Sequence, residues 1–148
     1  MKKELKSIIE NEEFRKTLKE DLVLMEDSLE TEVLLNQTKK NKYVTMLYRK
    51  IRKLASERSE LSKTYNTRYN YYMYEYQNDP ANNDGIVLDK TEVKQHVLAD
   101  DDYIIQKQRV ETLENDIKYL TDIKSMFEER NWSIKNKIEL MIFLQGER

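Results

Sequence analysis

Cysteine is absent from this 148-residue chain, proline and histidine each occur once, and glycine occurs twice. Without thiols there is no disulfide framework, no thiolate metal site and no cysteine nucleophile. The single histidine, His96, has no second imidazole to pair with, which argues against imidazole catalysis and histidine metal centres. Sheets need turns, and turns draw on glycine and proline, so a chain this poor in both is expected to be all-α. No apolar run is long enough to span a bilayer, and the N-terminus alternates Lys2, Lys3 and Glu4 with Leu5 instead of presenting a signal-peptide core. The expectation is a soluble protein that stays where it is made. No glycine-rich phosphate loop is present, which argues against nucleotide hydrolysis.

What the chain does contain is charge, at 36% of residues, with a net value of -2. Leu, Ile, Val and Phe still make up about a quarter of it, above the rough 20% floor under which charged chains stay unfolded. The near-neutral total conceals three blocks. Residues 1–38 carry 6 basic and 10 acidic side chains, residues 39–68 carry 10 and 2, and residues 69–148 carry 10 and 16. A solvated helix usually intersperses both signs to form i, i+4 pairs. Ten cations against two acids instead favour a nucleic-acid-facing helix over an ordinary solvated one.

That basic block has a heptad-like apolar pattern, with Val44, Leu47, Ile51, Leu54, Leu61, Tyr65 and Tyr72 in register and Arg58 and Arg68 filling gaps. The spacing predicts one long helix over about 40–75, a short one over 28–36 capped by Asp27 or Ser28, and an N-terminal one over 3–19. The segment QNDPANNDGIVLD, residues 77–89, reads as a linker loop. It divides the chain into an N-terminal half, 1–76, and a C-terminal half, 90–148. In the second half Thr91 opens a short helix, and Asp100, Asp101 and Asp102 form an acidic helix start. Tyr103, Val110, Leu113, Ile117, Leu120, Ile123 and Phe127 then mark a long amphipathic helix, with a break expected at Asn131. The aspartate triplet lacks the ligand spacing and glycine of a calcium loop, so no metal is expected there.

Two features point to function. Residues 64–77, TYNTRYNYYMYEYQ, place six tyrosines directly after the basic helix. Cations for phosphates beside rings for bases are the ingredients of single-strand binding. The pattern nominates Lys50, Lys53, Arg58, Lys63, Arg68, Tyr69, Tyr71 and Tyr72 as the DNA-binding set, to which the family resemblance given below adds Asn66. A packing role stands beside it, with Tyr65 and Tyr72 in the core and the other rings at an interface between chains. Secondly, Ser133–Leu144 is apolar around too much of its circumference for a surface helix. Trp132, Ile134, Ile138, Met141, Ile142 and Phe143 are therefore expected to meet a second copy, with Trp132 as a packing anchor.

Several stretches together resemble the UvsY family of recombination mediators from tailed bacteriophages. They are Leu18-Lys19-x-Asp21 with Lys42-Tyr43, then Arg68-Tyr69-Asn70-Tyr71-Tyr72, and then the C-terminal series. That series runs Lys90-Thr91-Glu92-Val93-Lys94, Val97-Leu98-Ala99-Asp100, and Arg130-x-Trp132-x-Ile134-Lys135 with Phe143 and Gly146. The likeness covers about Leu18 to Gly146. It implies a non-enzymatic protein without cofactors, acting in the cytoplasm of an infected bacterium as a hexameric or heptameric ring. It further implies that the ring binds single-stranded DNA and loads a RecA-like phage recombinase onto strands coated with single-strand-binding protein. By the resemblance Arg68 contacts the strand and the C-terminal helix drives assembly. Asn66 stands where the family motif has lysine, and Lys63, one turn earlier, is a candidate replacement. A structural coiled-coil adaptor for an acidic protein partner is the alternative from another class.

Overall fold

The computed structural model describes residues 4–22, 29–79, 81 and 87–146. Among them every regular element is helical. A 3₁₀ turn, Ile8–Glu10, leads to α1, Glu12–Leu22, and then to α2, Leu29–Asn70. A π-helical turn, Tyr71–Glu75, and a last turn, Tyr76–Asn78, follow without interruption. Of the linker expected over 77–89, residues 80 and 82–86 lie outside the described residues; α3, Lys90–Leu98, and α4, Asp101–Gly146, come after it.

The two long helices, α2 and α4, each join segments that the pattern predicts as separate. The short helix expected over 28–36 and the basic helix from 40 are one element, and the Asp27 or Ser28 cap lies outside the described residues. The N-terminal helix expected over 3–19 is instead the 3₁₀ turn and α1, and the turn begins at Ser7, whose hydroxyl caps the Ile9 amide. Asn131 ends nothing. Asparagine inside a helix costs under about 1 kcal/mol relative to alanine, and Phe127 and Ile134, buried on either side, carry α4 through it. The helix from Thr91 begins one residue earlier, because the Asp89 carboxylate caps the Glu92 amide at 2.8 Å.

The chain divides into two compact units, Met1–Lys6 with Arg52–Glu114, and Ser7–Ile51 with Asn115–Arg148. In the second unit, Leu18, Tyr43, Leu47, Leu120, Ile123 and Phe127 form the core. The Tyr43 ring stacks on Phe127 at 5.5 Å, with Phe14 edge-on to it at 6.0 Å. Here α2 and α4 run antiparallel: the Asn36 amide donates to the Phe127 carbonyl, Lys40 pairs with Glu128, and Lys50 with Asp116. Asp116, fully buried, also accepts from the Ser7 hydroxyl at 2.7 Å and the Ile8 amide. It thereby ties the N-terminal turn to α4, and the Arg130 guanidinium likewise donates to the Leu22 carbonyl at the end of α1.

In the first unit the same antiparallel pairing recurs, with Glu57 of α2 against Gln106 and Arg109 of α4. Arg109 grips the carboxylate with two nitrogens, at 2.7 and 3.1 Å, and Leu54, Val93, Val97, Val110 and Leu113 are buried in the same unit. The buried seam of α2 thus differs from the apolar reading. Lys50 and Glu57 occupy inward positions where Ile51 and Arg58 were expected, and those two are exposed. The partner carboxylate of Lys50 and the donors around Glu57 compensate the cost of burying charge.

A testable consequence lies in the second unit. The Tyr43 hydroxyl donates to Asp21 at 2.6 Å, beside Lys42 at 3.1 Å. Burial alone would raise the Asp21 carboxyl, but the Tyr43 and Lys42 hydrogen bonds outweigh it and hold the group below its ordinary value. A depressed carboxylate stabilises the fold above about pH 4 and loses that contribution as pH falls through its folded value. Tyr43→Phe should therefore cost about 1–2 kcal/mol in urea unfolding at pH 7, and the difference from the parent should shrink below about pH 4. A difference independent of pH would separate Tyr43 from Asp21.

Candidate nucleic-acid interface

The end of α2 in the first unit carries an open groove of about 350 Å³. Lys63, Thr64, Thr67 and Arg68 line it from α2, with Glu60 beside them and Asp102 and Gln106 facing from α4. Helical spacing explains the set: steps of three and four from Glu60 bring Lys63, Thr64 and Thr67 to one flank. The groove offers two cations and two hydroxyls, the side-chain types that bind phosphate oxygens, set against two acids, Glu60 and Asp102. Glu60 partly offsets Lys63 through a loose exposed pair at 3.7 Å.

Arg68 is held both by an acid and by aromatic rings. Its Nε donates to Asp100 at 2.8 Å, and its guanidinium lies over the Tyr71 ring at 4.4 Å and near Tyr72 at 5.5 Å. The Tyr72 hydroxyl donates to the same Asp100 oxygen at 2.7 Å. The other Asp100 oxygen caps α4 by accepting from the Asp102 and Tyr103 amides. Burial would raise the Asp100 carboxyl, but Tyr72, the Tyr103 amide and Arg68 together hold it below its ordinary value, so it is ionised at neutral pH. Burial and the Asp100 bond push the Tyr72 phenol up, with Arg68 opposing.

The π-helical turn sits where the tyrosines crowd. It adds a residue to one turn and so shifts the rings that follow out of the α2 register. Tyr71, Tyr72 and Tyr76 pack edge-on at 5.1–6.2 Å, and His96 from α3 stacks on Tyr72 at 5.3 Å. Tyr69 stacks on Tyr65, which meets Tyr103 edge-on. These half-buried rings contact one another within the chain, whereas the packing role had Tyr65 and Tyr72 in the core and the others between chains; Tyr74 stays 63% exposed.

The nominated residues thus separate. Lys63, Arg68, Tyr71 and Tyr72 come together at or beside the groove. Lys53 and Asn66 are exposed on the same helix. Arg58 is exposed and paired with Glu114 at 3.3 Å. Lys50 belongs to the other unit, where its ammonium faces buried Asp116 at 3.2 Å. Pattern reading had placed Asp100 only as a helix cap and left Thr64 and Thr67 unmarked. One signal for Asp100 was available: Arg68 falls in the buried register of α2, and a cation there needs an anion from the facing helix.

At the chain's other functional candidate, Trp132, Met141, Ile142 and Phe143 are exposed, with Leu140 and Leu144 beside them. Ile134, by contrast, is 6% exposed within the single chain, and Ile138 is half-buried.

Comparison with known protein families matches residues 17–147 to the recombination, repair and ssDNA binding protein UvsY. The chain belongs to the UvsY family. No curated protein and no solved structure matches it. Membership assigns the chain to recombination, repair and single-strand DNA binding. Among the described residues no group of acidic and histidine side chains is arranged to hold a metal ion, and no helix is long and apolar enough to cross a membrane.

Proposed function

We propose that the protein is a non-catalytic recombination mediator. Copies of it assemble through the apolar end of α4, bind single-stranded DNA along the end of α2, and load a RecA-like recombinase onto strands covered by single-strand-binding protein. Family membership supports the strand as ligand. The observation that carries the placement is the convergence of Lys63 and Arg68 on one open groove, with Thr64 and Thr67 between them.

Within the same unit a second feature supports it. Arg52, Ser56, Ser59, Lys63, Asn66 and Asn70 recur every three or four residues, and all are exposed. They form the α2 face opposite the buried Leu54 and Glu57, a line of cations, hydroxyls and amides without an acid. Phosphates find donors along it, and the exposed Tyr74 ring near its end is free to stack on a base. Lys63 stands one turn before Asn66, where it replaces the motif lysine.

The exposed apolar residues 140–144 support assembly, since large apolar side chains exposed all round a helix end favour a protein contact. Each chain then offers a modest site, and several sites on one assembly engage a long strand at high effective concentration.

Arg68→Ala tests the placement against Arg15→Ala, an exposed arginine on α1. Loss of one charge-assisted phosphate contact should weaken oligo-dT binding roughly tenfold and reduce the magnitude of the salt slope by about 0.7. Arg15→Ala should leave both unchanged. Equal affinities for the two variants would put the strand elsewhere.

A further inference from the structure

Asp100 has more partners than a helix cap needs. One oxygen serves the start of α4 and the other receives the Tyr72 hydroxyl and the Arg68 Nε–H, so the carboxylate, its residue 7% exposed, is held by four donors. A group fixed in this way is a rigid anchor for whatever it holds. What it holds is the one groove cation with aromatic rings against its guanidinium.

We infer that Asp100 is a positioning residue for strand binding: it fixes the Arg68 guanidinium by its Nε edge, so that the two terminal amino groups are aimed in advance at a DNA phosphate. The inference rests on the strand-binding reading above and adds to it a carboxylate that by charge alone should repel DNA. Arginine is rich in side-chain rotamer entropy, which a free side chain loses on gripping a phosphate. Tethering at Nε and stacking on Tyr71 remove most of that freedom before the strand arrives. Because the guanidinium is a planar fork, fixing one edge also fixes the direction of the edge between the terminal amino groups, which takes a phosphate at two points. Asp100 does not compete for that edge, since the Nε–H is the bond it accepts.

The prediction differs in sign from simple electrostatics. Removing an acid near a phosphate site should tighten binding by long-range charge; removing an anchor should weaken it. Asp100→Asn keeps the size and the helix cap but turns an amide toward Arg68, and Asp100→Ser keeps the cap with no reach to Arg68. Oligo-dT binding by the full chain, with helix content checked by circular dichroism, should be about five- to tenfold weaker for both variants. In an Arg68→Ala background the same substitutions should change affinity less than about twofold, because their effect passes through Arg68.

Tighter binding by either Asp100 variant would overturn the inference, and so would an equal loss in both backgrounds, which marks a structural role only. If Arg68→Ala bound as tightly as the parent, Arg68 would not be a contact and the inference would fall while strand binding stood. If the parent chain bound no oligo-dT at all, the strand-binding reading would fall and take the inference with it.

Discussion

Phe127→Ala should lower the unfolding free energy by about 3–5 kcal/mol, the range for truncating a fully buried phenylalanine. That is a large part of the roughly 5–15 kcal/mol that holds a typical domain folded. Phe127 has no exposed surface, stacks on Tyr43, and sits in the core with Leu18, Leu47, Leu120 and Ile123. Its neighbours come from three helices, so a cavity there cannot close by moving one side chain. The loss extends to polar groups as well: the Asn36 amide donates to the Phe127 carbonyl, and the Tyr43 ring that leans on Phe127 carries the hydroxyl bonded to Asp21. Urea unfolding followed by circular dichroism reads the change. A cost under about 1 kcal/mol would mean that this cluster is not the core of its unit.

The second large effect concerns assembly. Ending the chain after Glu139 removes Leu140, Met141, Ile142, Phe143 and Leu144, all exposed, and spares Ile134, which is buried. A cut at residue 131 would take Ile134 too and confuse assembly with folding. In the proposed mechanism the shorter chain should scatter light as a smaller species with its helical signal retained. It should also lose its preference for long over short oligonucleotides, a loss on the order of 100-fold for the long strand because avidity disappears with the second site. Retention of both the size and the long-strand affinity would place assembly elsewhere.

Much of this was legible in the sequence because two kinds of signal are local. Glycine and proline scarcity excluded a sheet, and Val110, Leu113, Leu120, Ile123 and Phe127 mark the buried stripe of α4 by spacing alone. What escaped is what depends on a facing residue. A hydrophobic pattern cannot assign Lys50 and Glu57 to the inner face of α2, because their burial is tolerable only through Asp116, Gln106 and Arg109 on another helix. Asn131 looked like a terminus because asparagine tolerates the left-handed conformation at a helix end, and the packing of its neighbours overrides that tendency.

The candidate interface shows the same division. Composition brought the basic helix and the tyrosines forward, and Lys63 and Arg68 do share a groove. Composition could not say that Tyr71, Tyr72 and Tyr76 spend their faces on one another, on Arg68 and on His96. Nor could it find Asp100, thirty-two residues along the chain from the arginine it holds.

The central claim is that the chain binds single-stranded DNA through several phosphate contacts made by cations at the end of α2. Oligo-dT binding measured across a range of salt concentrations tests it most directly. Each neutralised phosphate contributes about 0.7 to the slope of log affinity against log salt. Contacts from Lys63, Arg68 and at least one further exposed cation such as Arg52 or Lys53 therefore predict a fall with a slope of magnitude about 2 or more. No binding, or an affinity that hardly changes with salt, would contradict the account.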